Sequence, residues 1–222
     1  MILAIDTSSD ATTMGLGDES GPLASIEHTQ GSKHAEVIGS LFDRLVGGDS
    51  SMIRGIAVGI GPGPYTGLRV GISFAVGLGR ARDVPVVGVC SLDARAWQHG
   101  ADEGEFAVTT NARRGEVYWA SYRAGSLPQR LAGPRVLVQV PAIQTVADAS
   151  IDGGFLAHRV AKLLAEGSVP GAGGMPLVAH GADGADERLD PGPLFLPQPL
   201  YVRQPDVTIS DRLCVALPQQ KR

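Results

Sequence analysis

The sequence predicts an α/β protein in which mixed sheets are flanked by helices. In the first ninety residues, short apolar runs and amphipathic segments alternate in the order βββαβαβ. A second group of strand-like runs follows residue 105. The composition, 43% apolar and 19% charged over 222 residues, is that of a globular chain long enough to bury a substantial core. Strands and helices in this order form a layered sheet with helices packed on it.

The first three predicted elements are strands. An apolar run at residues 2–5 ends in Asp-Thr-Ser-Ser, and two further runs at 12–17 and 23–28 are separated by a DESGP turn. Turn residues between short apolar runs are typical of an antiparallel meander. The spacing then changes, because Val37, Leu41 and Leu45 lie four residues apart. This predicts an amphipathic helix over 33–46, which Gly47-Gly48 ends.

A buried strand at 53–60, a glycine-rich loop and a long helix over 66–82 complete the first half, together with an apolar strand at 86–89. The second half opens with a predicted hairpin, 106–109 and 116–122, around the loop NARRG at 111–115. A strand over 135–140 and an amphipathic helix over 155–166 follow. The stretch from 167 to 199 is rich in Gly, Pro, Ala and Asp, and no element is predicted there.

The loop GIGPGPYTGLRVG at 59–71 resembles a phosphate cradle, since a strand, a glycine-rich turn and a helix start bring free N–H groups together. However, it lacks the Lys-Ser or Lys-Thr of a P-loop and does not match the dinucleotide fingerprint. A tight turn that needs glycine for its backbone angles explains the pattern at least as well.

The helix after this loop has an unusual face. Gly67, Gly71, Ala75 and Gly79 recur every four residues, and glycine inside a helix costs about 1 kcal/mol relative to alanine. Close approach of another element would compensate for this cost. Two alternatives fit equally: the face contacts a partner protein, or it packs against the protein's own sheet.

Other chemistry finds little support. The five histidines show no metal-ligand spacing, and Cys90 and Cys214 form no CxxC pair, so we predict neither a metal nor a disulfide; the histidines are His28, His34, His99, His158 and His180. No Gly-x-Ser-x-Gly nucleophile occurs. A net charge of −4 argues against nucleic-acid binding by overall charge. The N-terminus predicts neither a signal peptide nor a membrane span, so a cytoplasmic location is expected.

Six segments together resemble the TsaB (YeaZ) family: ILAIDTSSDATTMGLG, HAE at 34–36, GIGPGPYTGLRVGISFAVGL, VPVVGVCSLDA, NARRGEVYWA and PLYVRQPDV. The resemblance covers about residues 1–123 and 194–207. The family's usual loop is GPGSFTGLR, in which Pro64 and Tyr65 here replace Ser and Phe. Asn111 replaces the Asp of its DARRGEVY segment.

The resemblance implies the two-lobed fold of actin, sugar kinases and Hsp70. One lobe would span 1–104, and a smaller, divergent lobe would span 105–222, with its C-terminal segment returning to the first. Enzymes of that fold hold ATP between such turns, which predicts a weak nucleotide site at Asp6, Thr7, Ser8, Gly61 and Gly63. The alternative is that Thr7 and Ser8 only satisfy backbone groups in their turn.

The resemblance also implies a function. The protein would be a non-catalytic scaffold that pairs with and activates a TsaD-like enzyme, which transfers threonylcarbamoyl from its AMP ester to N6 of an adenosine in tRNA. A TsaE-like ATPase would dock on the pair, tRNA would bind through the complex, and ATP would enter only at that level. TsaD carries its metal on two histidines of an HxxxH segment, where this chain has Ser91 and Arg95. Neither residue type is a ligand of such a site, so no metal and no cofactor of its own are expected.

The family's contact uses its first two helices. This predicts a partner interface at His34, Glu36, Ile38, Leu41, Leu68, Arg69, Gly71, Ile72, Ala75, Leu78 and Gly79. At the hairpin tip, Arg113, Arg114 and Glu116 are candidates for contact with tRNA or with partner carboxylates, against the alternative of a solvated tip. Two rival functions stay open: an independent ATPase or small-molecule kinase of this fold, and a homodimer formed through the same helices.

Overall fold

The computed structural model describes residues 1–29, 33–167 and 194–202. In chain order the described elements are β1 (Ile2–Asp6), β2 (Thr12–Asp18), β3 (Gly21–His28), α1 (His34–Val46), β4 (Gly55–Gly61), α2 (Tyr65–Arg82), β5 (Val86–Cys90), α3 (Ser91–His99), β6 (Glu105–Arg113), β7 (Glu116–Arg123), β8 (Gln129–Leu137), β9 (Thr145–Ala147) and α4 (Gly153–Ala165). The predicted order βββαβαβ is confirmed for the first seven elements.

The first sheet has the order β3-β2-β1-β4-β5. The meander β1–β2–β3 is antiparallel, as predicted, and β1, β4 and β5 run parallel, with Ala4 opposite Ala57 in neighbouring strands. Alternate residues of β1 point to opposite faces. Leu3 and Ile5 join the core beneath α1 and α2, whereas Ile2 and Ala4 join the core beneath α4. The sheet therefore lies between two layers of helices.

Helix α4 packs on the first lobe, so the second lobe is smaller than the predicted range 105–222. It follows residue 104 in sequence, yet it packs on β1, β2 and β3 of the first sheet. Gly15 of β2 makes this possible, because a Cβ there would overlap the backbone of Gly153 and Gly154. Of the described elements beyond residue 104, only β6 to β9 form the second lobe, as a separate sheet of order β8-β7-β6-β9.

Three elements differ from the prediction. Strand β8 begins at Gln129 rather than 135, because Gly133-Pro134, which reads as a turn in sequence, is accommodated within an irregular strand pairing. Strand β9 has three residues and no detectable pattern. Helix α3 was not predicted, since its buried residues include Ser91, Asp93 and Arg95 and therefore form no apolar stripe.

The segment 194–202 contacts the first sheet. Phe195 pairs with Gly88 of β5 through two backbone hydrogen bonds, and Leu200 N–H donates to the carbonyl of Ile60 at 2.7 Å. The predictions for Cys214 and His180 lie outside the described residues. None of the described helices is both long enough and apolar enough to cross a membrane.

Candidate functional site

The turn after β1 is held together by the carboxylate of Asp6. Its Oδ1 accepts the Ser8 backbone N–H at 3.0 Å and the Ser8 hydroxyl at 2.7 Å, and its Oδ2 accepts the Ser91 hydroxyl at 2.7 Å. Thr7 donates its hydroxyl to the carbonyl of Gly67 at 2.7 Å. The side chains of Asp6, Thr7, Ser8 and Ser91 are all buried. The polar groups of the turn are thus satisfied by the protein itself.

The glycine-rich loop closes onto this turn. A Cβ at Gly59 would overlap the Asp6 carboxylate, and a Cβ at Gly63 would overlap the Ser8 backbone, so the space between loop and turn is filled. Gly61 has a φ of 100°, which favours glycine. The predicted nucleotide site at Asp6, Thr7, Ser8, Gly61 and Gly63 is therefore not supported by their geometry. The alternative, a turn satisfied by its own hydroxyls and a tight loop, is the arrangement observed.

Arg95 of α3 lies beneath the same turn and is only 2% exposed. Its Nε donates to the carbonyl of Ala149 at 2.8 Å, and its Nη1 donates to the carbonyl of Ser91 at 2.8 Å and to the Ser8 hydroxyl at 3.3 Å. Burial lowers the pKa of this guanidinium, while the nearby charge of Asp6 opposes that shift. An arginine keeps its proton under such conditions, so a buried cation is present here.

Between the two lobes lies a cavity of about 390 Å³. Ser8 and Asp10 line it from the first lobe, Asn111 and Asp148 line it from the second, and Arg95 lies at its wall. Asp10 and Arg113 form an ion pair of 3.9 Å across the lobes, with both side chains mostly exposed. This cavity, rather than the glycine-rich loop, is the open space next to the Asp6 turn.

The small-residue face of α2 packs inside the protein. A Cβ at Gly67 would lie 2.6 Å from the carbonyl oxygen of Thr7, and one at Gly71 would overlap the Thr7 side chain. Ala75 is fully buried, and a Cβ at Gly79 would overlap Val86. Of the two alternatives for this face, the structure shows the helix that packs on its own sheet.

This corrects the predicted interface. Most of its residues belong to the core of the chain itself and are not available to a partner: His34, Ile38, Leu41, Leu68, Gly71, Ile72, Ala75 and Gly79 are buried. Glu36 and Arg69 are exposed, and Leu78 is half-buried. His34 is bonded within the fold, with Nδ1 2.7 Å from the Thr12 hydroxyl, and burial lowers the pKa of its imidazole.

A different face of the two helices is open. On α1, Ala35, Gly39, Phe42 and Val46 follow the i, i+4, i+7, i+11 spacing of one helical face, and on α2, Val70, Phe74 and Gly77 follow the same spacing. The rings of Phe42 and Phe74 meet edge-on with centroids 5.7 Å apart, which joins the two rows. A Cβ at Gly39 or Gly77 would meet no atom within 4 Å. We call these seven residues the outer row.

The beginning of α2 carries an aromatic cluster that the sequence reading missed. The guanidinium of Arg69 lies 3.9 Å from the centre of the Tyr65 ring, and its Nε donates to the hydroxyl of Tyr201 at 2.9 Å. The rings of Tyr65 and Tyr201 stack with centroids 4.9 Å apart. The only signal in the sequence was the replacement of the family's Phe by Tyr65, because a contact across more than 130 positions has no local pattern.

At the hairpin tip Arg113 and Arg114 are exposed, and Glu116 is half-buried. Arg113, Arg114 and Gly115 have left-handed φ values of 64°, 55° and 76°; the turn lies at Arg114-Gly115, while Asn111, Ala112 and Arg113 belong to β6. Arg113 points across the lobes to Asp10. Contact of Arg113, Arg114 and Glu116 with tRNA or a partner stays a prediction.

The described ranges contain neither a metal-binding cluster nor a reactive thiol. No cluster of three or more His, Cys, Asp or Glu residues that could hold a metal ion occurs within them. Cys90 is fully buried, and this burial raises the pKa of its thiol to about 12. A thiol with that pKa is protonated at neutral pH and is a poor nucleophile.

Comparison with known proteins gives a consistent picture. Residues 23–146 match the family model described as TsaD, tRNA N6-adenosine threonylcarbamoyltransferase. The uncharacterized protein Rv3421c of Mycobacterium tuberculosis is 35% identical over 212 residues, which cover 92% of each chain. The tRNA threonylcarbamoyladenosine biosynthesis protein TsaB of Escherichia coli is 35% identical over 128 residues, covering 55% of this chain. This match spans about half, 54%, of the Escherichia coli protein. The uncharacterized protein ML0378 of Mycobacterium leprae is 41% identical over 143 residues, which span 38% of its own length.

A solved structure shares the fold. YeaZ from Pseudomonas aeruginosa superimposes with a TM-score of 0.61 and is 26% identical, covering 75% of this chain and 92% of its own. Structures of this kind have the actin-like fold of two lobes with mixed sheets, which confirms the fold class predicted from the sequence.

Proposed function

Because the chain belongs to the TsaB (YeaZ) family, we propose that it takes part in making N6-threonylcarbamoyladenosine in tRNA. In this proposal it is a subunit without activity of its own, and it pairs with and activates a TsaD-like transferase in the cytoplasm. A TsaE-like ATPase joins the pair, and tRNA is held by the complex as a whole. The net charge of −4 fits a subunit that does not recruit tRNA alone.

The outer row is the observation that carries the pairing. Phe42, Val70 and Phe74 are half-buried apolar side chains that no described element covers completely, and Gly39 and Gly77 leave shallow gaps beside them. Small residues let the backbone of a second helix approach closely, while the apolar side chains supply the area to be buried. A helix pair of the TsaD-like protein is the occupant we propose for this surface.

The Asp6 turn supports the absence of independent catalysis. The Asp6 carboxylate already accepts three hydrogen bonds, and the glycine-rich loop packs directly on the turn, so the predicted phosphate position between loop and turn is filled. The rival function, an ATPase or small-molecule kinase, requires such a site. Calorimetry of the full chain with ATP and Mg²⁺ separates the two: we expect no turnover, whereas steady release of ADP would favour the kinase or ATPase.

Replacing Gly77 tests the pairing. Because a Cβ at Gly77 meets no neighbouring atom, Gly77→Phe folds normally but projects a large ring from the outer row. We expect its affinity for the TsaD-like protein of the same organism to fall at least 100-fold, measured by biolayer interferometry. Modification of tRNA in the reconstituted system falls with it.

The matched control is Gly77→Ala, which adds one methyl group and favours the helix, and which is expected to weaken pairing much less. Sedimentation of the chain alone is measured in parallel, because a homodimer through the same surface would be lost with Gly77→Phe as well. Wild-type affinity of Gly77→Phe for the partner would contradict the proposal.

A further inference from the structure

The cavity between the lobes contains an unmatched buried charge. Arg95 is only 2% exposed. Its three hydrogen bonds all go to neutral oxygens, those of Ala149, Ser91 and Ser8. Across the part of the chain that the structure describes, no carboxylate lies within 4.0 Å of its guanidinium. Buried charges in proteins are normally paired, because an isolated one loses its hydration without compensation.

The nearest internal anion does not fill this role. Asp6 already accepts three hydrogen bonds from Ser8 and Ser91, and the Ser8 hydroxyl stands between it and the guanidinium. That hydroxyl donates to Asp6 and accepts from Nη1 of Arg95. Asp6 therefore stabilises the cation through an intervening group, and the direct position beside Arg95 faces the cavity that it lines.

The rest of the cavity wall carries mostly negative charge. Asp10, Glu27 and Asp148 line it, against Arg95 and Arg113 as the lining cations. Arg113 is engaged with Asp10, and one oxygen of Asp148 accepts the backbone N–H of Asn111 at 2.9 Å. Glu27 and Asp148 then face Arg95 as the remaining lining cation, which leaves one negative charge in excess. Their charge repels polyanions such as nucleotides and attracts a small cationic group.

We propose that this cavity binds a small zwitterion of the amino-acid type, with its carboxylate on Arg95 and its ammonium group towards Asp148 and Glu27. The Nε and Nη1 hydrogens of Arg95 are engaged by Ala149, Ser91 and Ser8, so the ligand carboxylate would accept its charge-assisted hydrogen bonds from Nη2. The cavity volume of about 390 Å³ holds such a ligand with several ordered waters. This site does not depend on the pairing proposed above.

The experiment uses the full 222-residue chain and the twenty proteinogenic L-amino acids as probes. Thermal-shift screening at 10 mM is followed by isothermal titration calorimetry of those that raise the melting temperature. Acetate and methylamine serve as half-ligands, and inorganic phosphate and ATP with Mg²⁺ serve as polyanions. We expect one or a few amino acids to bind with a 1:1 stoichiometry, and each half-ligand to bind at least tenfold more weakly.

Two variants locate the binding. Ala11→Leu adds bulk to the cavity wall and leaves the Arg95 side chain in place, so we expect it to abolish binding, whereas Ala142→Leu adds the same side chain at an exposed position outside the cavity and leaves binding unchanged. Arg95→Lys keeps the charge but loses Nη2 and the hydrogen bonds that fix the guanidinium, so affinity falls about tenfold. The proposal is overturned if no amino acid binds, if phosphate or ATP binds in their place, or if Ala11→Leu binds as the wild type does.

Discussion

At the scale of single residues, Asp6 has the position that the sequence predicts and a different role. The Asp-Thr-Ser turn after β1 resembles the phosphate-binding turns of related enzymes, and it does lie at the carboxyl end of the central strand. Its carboxylate, however, binds Ser8 and Ser91 of the chain itself. The sequence could not reveal this, because Ser91 is 85 residues away and its hydroxyl gives no periodic signal.

Asp6→Ala should therefore destabilise the fold. It leaves the Ser8 and Ser91 donors without their acceptor and removes the charge that stabilises buried Arg95, so we expect a loss of about 3 kcal/mol in the free energy of unfolding. Urea denaturation followed by circular dichroism measures it. Asp102→Ala, at an exposed loop position, is the control and should change stability by less than about 0.5 kcal/mol.

His34 makes the stability depend on pH. Burial lowers its pKa below the ordinary 6.5 in the folded protein, while the unfolded chain titrates near 6.5. The unfolded state thus takes up the proton first as the pH falls, and stability present above pH 6.5 is lost between that value and the lowered folded pKa. We expect His34→Gln to flatten the decline in unfolding free energy between pH 7.5 and 5.5. An unchanged slope would show that other groups cause the decline.

At the scale of elements, α2 shows what a sequence pattern establishes and what it leaves open. The repeat of Gly67, Gly71, Ala75 and Gly79 correctly predicted a helix with a smooth, closely packed face. It did not indicate the direction of that face, because close approach to a sheet and close approach to a partner require the same small residues. In the structure the small-residue face packs against Thr7 and Val86, and Gly77 lies on the open face of the helix.

A pair of identical substitutions tests this orientation. Gly71→Ala forces a methyl group against Thr7, so we expect a loss of about 1–3 kcal/mol of stability. Gly77→Ala points into open space and should gain up to about 1 kcal/mol through helix propensity. Thermal and urea denaturation of both variants give the comparison. Equal effects at the two positions would contradict the assigned orientation of α2.

Helix α3 could not be predicted from the spacing of apolar residues. Prediction of an amphipathic helix needs an apolar stripe, yet α3 buries Asp93 and Arg95 together with Leu92 and Trp97. Asp93 accepts the Tyr122 hydroxyl at 2.8 Å and lies 3.6 Å from Arg130, so its burial is compensated by partners from the second sheet. Polar residues that are buried because of distant partners read as surface residues in the sequence.

At the scale of the whole molecule, the order of elements in the first lobe was predictable, whereas the division of the chain between lobes was not. Local runs and turns specify β1 to β5, α1 and α2. The placement of α4 on the first sheet depends on a glycine contact between β2 and α4, more than 130 residues apart. A long-range contact of that kind is set by packing and leaves no mark on local sequence.

The two-lobed arrangement also separates the surfaces assigned to different roles. The outer row lies on α1 and α2, on one side of the first sheet, and the cavity with Arg95 lies between the lobes. A partner can thus bind the helices without closing the cavity directly. We propose that the TsaD-like protein covers the outer row and not the second sheet.

Hydrogen–deuterium exchange of the full chain, with and without the TsaD-like protein of the same organism, tests that claim most directly. Peptides covering residues 34–46 and 65–82 should exchange more slowly in the complex, because the partner excludes water and opposes local opening of both helices. Peptides covering 105–123 of the second sheet serve as the internal reference and should exchange as before. Protection confined to 105–123, with both helices unchanged, would contradict the account.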